Sequence, residues 1–335
     1  MREMIRNASN LPIIKCIVGK KSVKRSYLVL MIGTLFVVSV EFVSSFKVTN
    51  GSLAVSPEKL ITEKSVKVST SGYHYAPLAN APVGTNTLDI YECKSSSKGP
   101  CPVLVYLHGG GLLRGDKKGV GLMPELLNDK NFCLVSVNYP VFGRAVKDLI
   151  ELQMSEIVAA TLWLKNNLSD IKSNCTMNNA AIMGHSAGAY LAALLLVNSR
   201  YSIASDLYKT FIYNDSSWYG QSLFVKHKNS MKLIFGNKFR TIRGRESLRD
   251  QWIPSAVVAK SCPVRTRIAK VVLMQSRYRP MSDLQDNDSF VRLLNLCNNI
   301  NASISRHYYN HKQMQASIGE PLSTTSVALI NALIQ

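Results

Sequence analysis

The stretch AAIMGHSAGAYLAALLLV, residues 180–197, decides the fold. Ala180–Met183 has the look of a short buried strand, and Ala187–Val197 reads as a helix rich in small residues and leucine. Gly184-His185-Ser186-Ala187-Gly188 joins them, so the chain must turn from strand to helix within a few residues. Such a turn is strained and crowded, and glycines on both sides of Ser186 permit the close approach of neighbouring backbones. The turn lifts the serine hydroxyl above the strand end and sets it at a helix N-terminus. There the unpaired N–H groups favour developing negative charge.

Outward from this turn, strand and helix patterns alternate. Short apolar runs rich in β-branched residues occur at Thr87–Tyr91, Val103–Leu107, Cys133–Val137, Phe211–Tyr213, Val271–Met274 and Ile304–Tyr308. Val146 to Leu168 has apolar residues near helical spacing. The alternation predicts an α/β protein with a mainly parallel central sheet and helices on both faces. With 46% apolar and 18% charged residues, and only 31 Gly and Pro among 335, the chain has enough apolar side chain to exclude a disordered or low-complexity protein.

His108-Gly109-Gly110-Gly111 follows the run Val103–Leu107. Backbone N–H groups in a glycine loop can point at the oxygen of a tetrahedral intermediate, where one donor is worth roughly 3 kcal/mol. Gly110, Gly111 and the N–H of Ala187 are the expected oxyanion donors, with Ser186 as the nucleophile. Either motif alone is compatible with a tight structural turn; the two together, in this order, point to chemistry.

With both motifs in view, the sequence resembles the α/β-hydrolase family, in its esterase/lipase branch with the H-G-G-G motif. The resemblance runs over residues 72–335 through VLVYLHGGGLLRGDK, VSVNYP and IMGHSAGAYLAALLL. Similarity to the kynurenine formamidase-like and small-ester carboxylesterase members extends to the C-terminus. It implies an α/β-hydrolase fold and the order serine, acid, histidine. Asn310-His311-Lys312 then looks like the histidine loop and GEPLSTTSVALINALI like the closing helix. His311, just beyond the last expected strand, is the expected base. His307 lies within that strand and His227 precedes the last two. His108 and His185 are motif neighbours, with His185 expected to point away from the site. In the family the acid follows the penultimate strand, here Val271–Met274. The position that matches by spacing is Arg279, which cannot orient an imidazole. Asp283 is therefore the expected acid, with Asp286 and Asp288 as alternatives.

The expected reaction is hydrolysis of a small carboxylic ester, or of an amide-like formyl group, through Ser186, His311 and Asp283. The displaced acid leaves open a binding protein that has lost turnover, and the same residues would also suit an acyltransferase. No cofactor is implied: there is no P-loop around Gly115-Asp116-Lys117-Lys118, and no Cys/His cluster with metal-ligand spacing. Oligomeric state is not readable.

The formal charge of +19 first suggests a nucleic-acid or membrane partner. Seven basic residues, however, lie within residues 1–25 against a single acid, Glu3, and precede the uncharged run Tyr27–Val40. Residues 1–25 read as a basic flank and 26–46 as a cleaved signal or a signal anchor, which implies export of the remainder and, if uncleaved, attachment to a membrane. Residues 47–71 read as a linker and 72–335 as the hydrolase domain. Between Ser222 and Arg249 eight basic residues face one acid, Glu246, so residues 222–260 are a possible lid or simply a solvated basic surface. Few aromatics interrupt it, and no nucleic-acid partner is expected. Cys93 and Cys101 flank a turn-like segment and are expected to form a disulfide. Cys133, inside an apolar run, is expected to be a buried free thiol.

Overall fold

The computed structural model describes residues 29–31, 34–36, 72–75, 84–94, 99–141 and 149–334. The chain divides into two units, Met1–Ala54 and Val55–Gln335. In the first, β1 (Val29–Met31) pairs antiparallel with β2 (Thr34–Phe36). These residues were expected to belong to a signal or anchor helix. The paired residues include the β-branched Val29 and Thr34, which suit strands. The rest of that expected segment, the basic flank and the linker lie outside the described residues. No helix among the described residues is long and apolar enough to cross a membrane.

The second unit contains β3 (Tyr73–His74), β4 (Thr87–Tyr91), β5 (Cys101–Leu107), α1 (Met123–Asp129), β6 (Cys133–Val137), α2 (Leu149–Ile171), β7 (Cys175–His185), α3 (Ala187–Val197), α4 (Ser202–Ser205) and β8 (Tyr208–Asn214). Then follow α5 (Ser222–Lys226), α6 (Lys228–Phe235), α7 (Ile242–Trp252), α8 (Pro254–Lys260), β9 (Ala269–Ser276), α9 (Met281–Asn295), β10 (Ile300–His307), α10 (His311–Ala316) and α11 (Thr324–Ile334). The sheet order is β10-β9-β8-β7-β5-β6-β4-β3, with the β3–β4 and β4–β6 pairs antiparallel and the other pairs parallel.

The period of two along each central strand builds two cores. Val103, Val105 and Leu107 of β5, Ile182 of β7, Phe211 and Tyr213 of β8 and Val271 and Leu273 of β9 pack with the buried residues of α2 and α3. Leu104, Tyr106, Ala181, Met183, Ile212, Val272 and Met274 face the other way and pack with Met123 and Leu127 of α1 and Leu329 of α11. Because both faces are covered, the central strands read as continuous apolar runs, which is why the sequence reveals them. The last strand begins earlier than expected, at Ile300, because β10 is an edge: Asn301 and Ser303 are exposed there and interrupt the apolar signal.

Three disulfides tie the unit together: Cys93–Cys101, Cys133–Cys175 and Cys262–Cys297. The first was expected. Cys133 is not the free thiol its apolar surroundings suggested. It begins β6, and Cys175 begins β7, the two strands that flank β5. A ladder shift at Pro102 accompanies a Cα–Cα separation of 6.0 Å, within bridging range. Disulfides fit an oxidising compartment.

Candidate active site

Three adjacent parallel strands deliver the site to one end of the sheet. Gly184 and His185 of β7 sit opposite Tyr213 and Asn214 of β8, and Asn214 sits opposite Met274 of β9. Residues just past these partners therefore converge: Ser186 after β7, Asp215 after β8 and Arg279 a few residues after β9. The backbone confirms the closeness. Ser186 N–H donates to the carbonyl of Asn214 at 2.9 Å, and Asp215 N–H to that of Met274 at 2.7 Å.

Ser186 has φ 55° and ψ −115°, the strained left-handed backbone expected of a strand-to-helix elbow. The turn closes because Gly188 lacks a side chain: a Cβ there would stand 2.2 Å from the carbonyl oxygen of Leu107. The glycine loop lies directly across from it, since a Cβ on Gly109 would be 3.2 Å from the Cβ of Ser186. Gly110 has φ +128°, and a Cβ there would fall 1.9 Å from the carbonyl oxygen of Arg114. Its own carbonyl accepts from the N–H groups of Leu113 and Arg114, each at 3.2 Å. Tyr139 steadies the loop by donating its hydroxyl to the His108 carbonyl at 2.5 Å while its ring stacks on His108 at 4.2 Å.

His311 opens α10, whose N-cap Asn310 and Gln313 form a reciprocal capping box. The cap fixes where the helix starts, and so where the imidazole hangs. Its Nε2 is 3.0 Å from Ser186 Oγ, and its Nδ1 is 2.8 Å from Asp215 Oδ2. The carboxylate beside the ring is thus Asp215, and not the expected Asp283. Asp283 is buried in the first turn of α9 and forms an ion pair with Lys226. Asp286 accepts from the backbone N–H of Ser222 at 3.3 Å, and Asp288 pairs with Arg306. None of the three faces His311.

Asp215 is fully buried as a side chain and is held by several donors. Its Oδ1 accepts from Ser276 N–H at 2.9 Å and from Arg279 Nε at 3.2 Å, and its Oδ2 from Arg279 Nη2 at 3.0 Å. Burial pushes its pKa up, but the His311 hydrogen bond and the charge and hydrogen bonds of Arg279 outweigh it, lowering the pKa to about 2. Sequence reading missed Asp215 because it looked for the acid after β9. The available signal was an acid immediately after the buried run ending at Asn214.

The remaining histidines have other places. His185 does not point away from the site. Its ring stacks on that of His311 at 4.9 Å, and burial, then the proximity of His311, push its pKa down to about 4. His307 bridges Ser305 Oγ and Thr324 Oγ1, each at 2.8 Å. His227 lies at the junction of α5 and α6 against Trp218. Among the described residues no group of three or more His, Cys, Asp or Glu could hold a metal ion.

The comparisons with known proteins agree with this architecture. The family model BD-FAE matches residues 88–233. Kynurenine formamidase of Salmo salar is 29% identical over 140 residues, covering 40% of this chain and 44% of that protein. A probable isoprenylcysteine alpha-carbonyl methylesterase of Arabidopsis thaliana is 26% identical over 182 residues, covering 52% of this chain and 37% of that protein. The matched part is less than half the length of these curated relatives. Esterase B from Lactobacillus rhamnosis superposes with a TM-score of 0.58 at 15% identity, over 84% of this chain and 91% of its own. The chain has the α/β-hydrolase fold. Carboxyl esterase 2 of Tuber melanosporum has the same fold, with a TM-score of 0.52 at 19% identity over 84% of this chain and 93% of its own. Within this fold, the insertion α5–α8 lies between β8 and β9. Its Leu223, Met231, Ile234, Phe239, Leu248 and Trp252 enter the core, and most of its basic side chains face outward.

Proposed function

We propose that the chain is a serine hydrolase of small carboxylic esters. The observation that carries this reading is the unbroken line of contacts from Ser186 Oγ through His311 to Asp215. Ser186 attacks the ester carbonyl while His311 Nε2 takes its proton, and Asp215 stabilises the imidazolium that forms. The N–H groups of Gly110, Gly111 and Ala187 receive the oxyanion. The alcohol leaves with the proton from Nε2, and a water deprotonated by the same nitrogen releases the acid.

A second reading, hydrolysis of an aryl formamide, is favoured by the two curated relatives named kynurenine formamidase, from Salmo salar and Danio rerio. It uses the same residues with an amine as leaving group. The disulfides support action in an oxidising compartment.

The test joins a fluorophosphonate probe with a substrate panel of short-chain esters and N-formyl arylamines. Expected are covalent labelling and turnover, both abolished in Ser186→Ala. Folded wild-type protein that neither labels nor turns over any member would overturn the hydrolase reading. Faster turnover of the formyl amides would favour the second reading over the first.

A further inference from the structure

Arg279 occupies the strand-end position where the acid was expected, and it reaches both partners of the hydrogen bond that matters most. Its Nη2 lies 3.0 Å from Asp215 Oδ2, 2.6 Å from the Asp215 carbonyl oxygen and 2.6 Å from His311 Nδ1. His311 Nδ1 is at the same time 2.8 Å from Asp215 Oδ2. A guanidinium carries only donors, whereas a neutral ring nitrogen either donates or accepts. Nδ1 therefore cannot donate to Asp215 and accept from Arg279 in the same state.

The two arrangements have opposite consequences. With Nδ1–H donating to Asp215, the Nε2 lone pair faces Ser186 Oγ and can take its proton. With Arg279 donating to Nδ1, the ring proton sits on Nε2, which then donates to Ser186 and cannot act as its base. The guanidinium charge also opposes the imidazolium that base catalysis creates. Groups facing the ring from the neighbouring elements are Asp215 after β8, Arg279 after β9 and His185 at the end of β7. Burial keeps His185 neutral at neutral pH, so the positive charge against the ring comes from Arg279.

We propose that Arg279 is a positioning residue that holds the buried Asp215 and, by competing with Asp215 for His311 Nδ1, restrains His311 as a base. This rests on the serine-hydrolase reading and adds a built-in brake to the same site. Removing the guanidinium leaves Asp215 with the His311 ring and the Ser276 N–H as partners, which favours the productive tautomer and the imidazolium.

The test compares wild type with Arg279→Met, Arg279→Gln and Arg279→Lys. In the neutral variants the alkaline plateau of kcat/KM rises several-fold and the acid limb of the pH profile moves up by about one unit. Arg279→Lys, which keeps the charge, stays near wild type in the midpoint. A plateau that falls in the neutral variants while the midpoint stays fixed would make Arg279 a structural support only and overturn the proposal. A second readout needs no turnover. In ¹⁵N-histidine-labelled protein, with His311 assigned by His311→Gln, wild type shows population of the Nε2–H tautomer, and Arg279→Gln shifts it to Nδ1–H. A ring already wholly Nδ1–H in wild type and unchanged in the variant would equally overturn the brake. Loss of the hydrolase reading shows separately, as absence of a Ser186-dependent label.

Discussion

Asp215→Asn is the perturbation that most directly tests the site. The amide keeps the shape of the carboxylate but removes its charge and can present an N–H to the imidazole. His311 then loses both its orientation toward Ser186 and the stabilisation of its protonated form. In a serine–histidine enzyme that loss amounts to about 10⁴ in kcat, or roughly 5 kcal/mol of transition-state stabilisation. Stability falls too, because Arg279, with a side chain only 18% exposed, loses the buried carboxylate it holds. Breaking such a pair costs about 3 kcal/mol. The assay is therefore steady-state ester hydrolysis, at a temperature where circular dichroism shows the variant folded, with Asp283→Asn as the companion. Asp283 pairs with Lys226 away from His311, so its variant should keep kcat within about two-fold. A folded Asp215→Asn protein retaining more than about a tenth of wild-type kcat, or an Asp283→Asn protein losing about 10³ or more, would refute the assignment of Asp215.

Three further outcomes follow from the geometry. Gly110→Ala places a Cβ 1.9 Å from the Arg114 carbonyl at a φ of +128°, so the turn proposed to hold the oxyanion must open. We expect kcat/KM to fall on the order of 10²-fold with KM little changed. Removing the Cys133–Cys175 bridge, whose cysteines are 42 residues apart, should destabilise the protein by about 4 kcal/mol. Removing Cys93–Cys101, only 8 apart, should destabilise it by about 2.5 kcal/mol, and urea midpoints of the paired Cys→Ala variants check the order. His185 titrates at about 4 in the folded chain against 6.5 for the free side chain, so the unfolded state binds its proton first. Its share of stability, as much as about 3 kcal/mol, is present above pH 6.5 and is lost as pH falls toward 4. His185→Gln should flatten that slope in urea titrations, whereas the Asp215 contribution, with its pKa held near 2, is lost only below about pH 4.

Much of the fold was legible because burial on both faces leaves a local signature. Helix α3 begins and ends where its sequence suggested, and six of the expected strand runs lie within observed strands. β10 was misplaced because an exposed edge strand alternates polar residues that carry no distinctive pattern. Ser186 and the glycine loop were legible because a strained elbow and a crowded turn demand particular residue types within a few positions. Asp215 was not, because an acid is needed only near His311 in space, and two neighbouring strand ends offer that place equally well.

The +19 charge and the basic flank were plain from composition, as was the strand–elbow–helix at Ser186. These are properties of contiguous residues, set by period, glycine geometry and charge. Tertiary structure alone decided that Cys133 pairs with Cys175, that Asp283 pairs with Lys226, and that Asp215 and Arg279 both reach His311. Those are choices between partners dozens of residues apart, made by the register of parallel strands that local sequence does not encode.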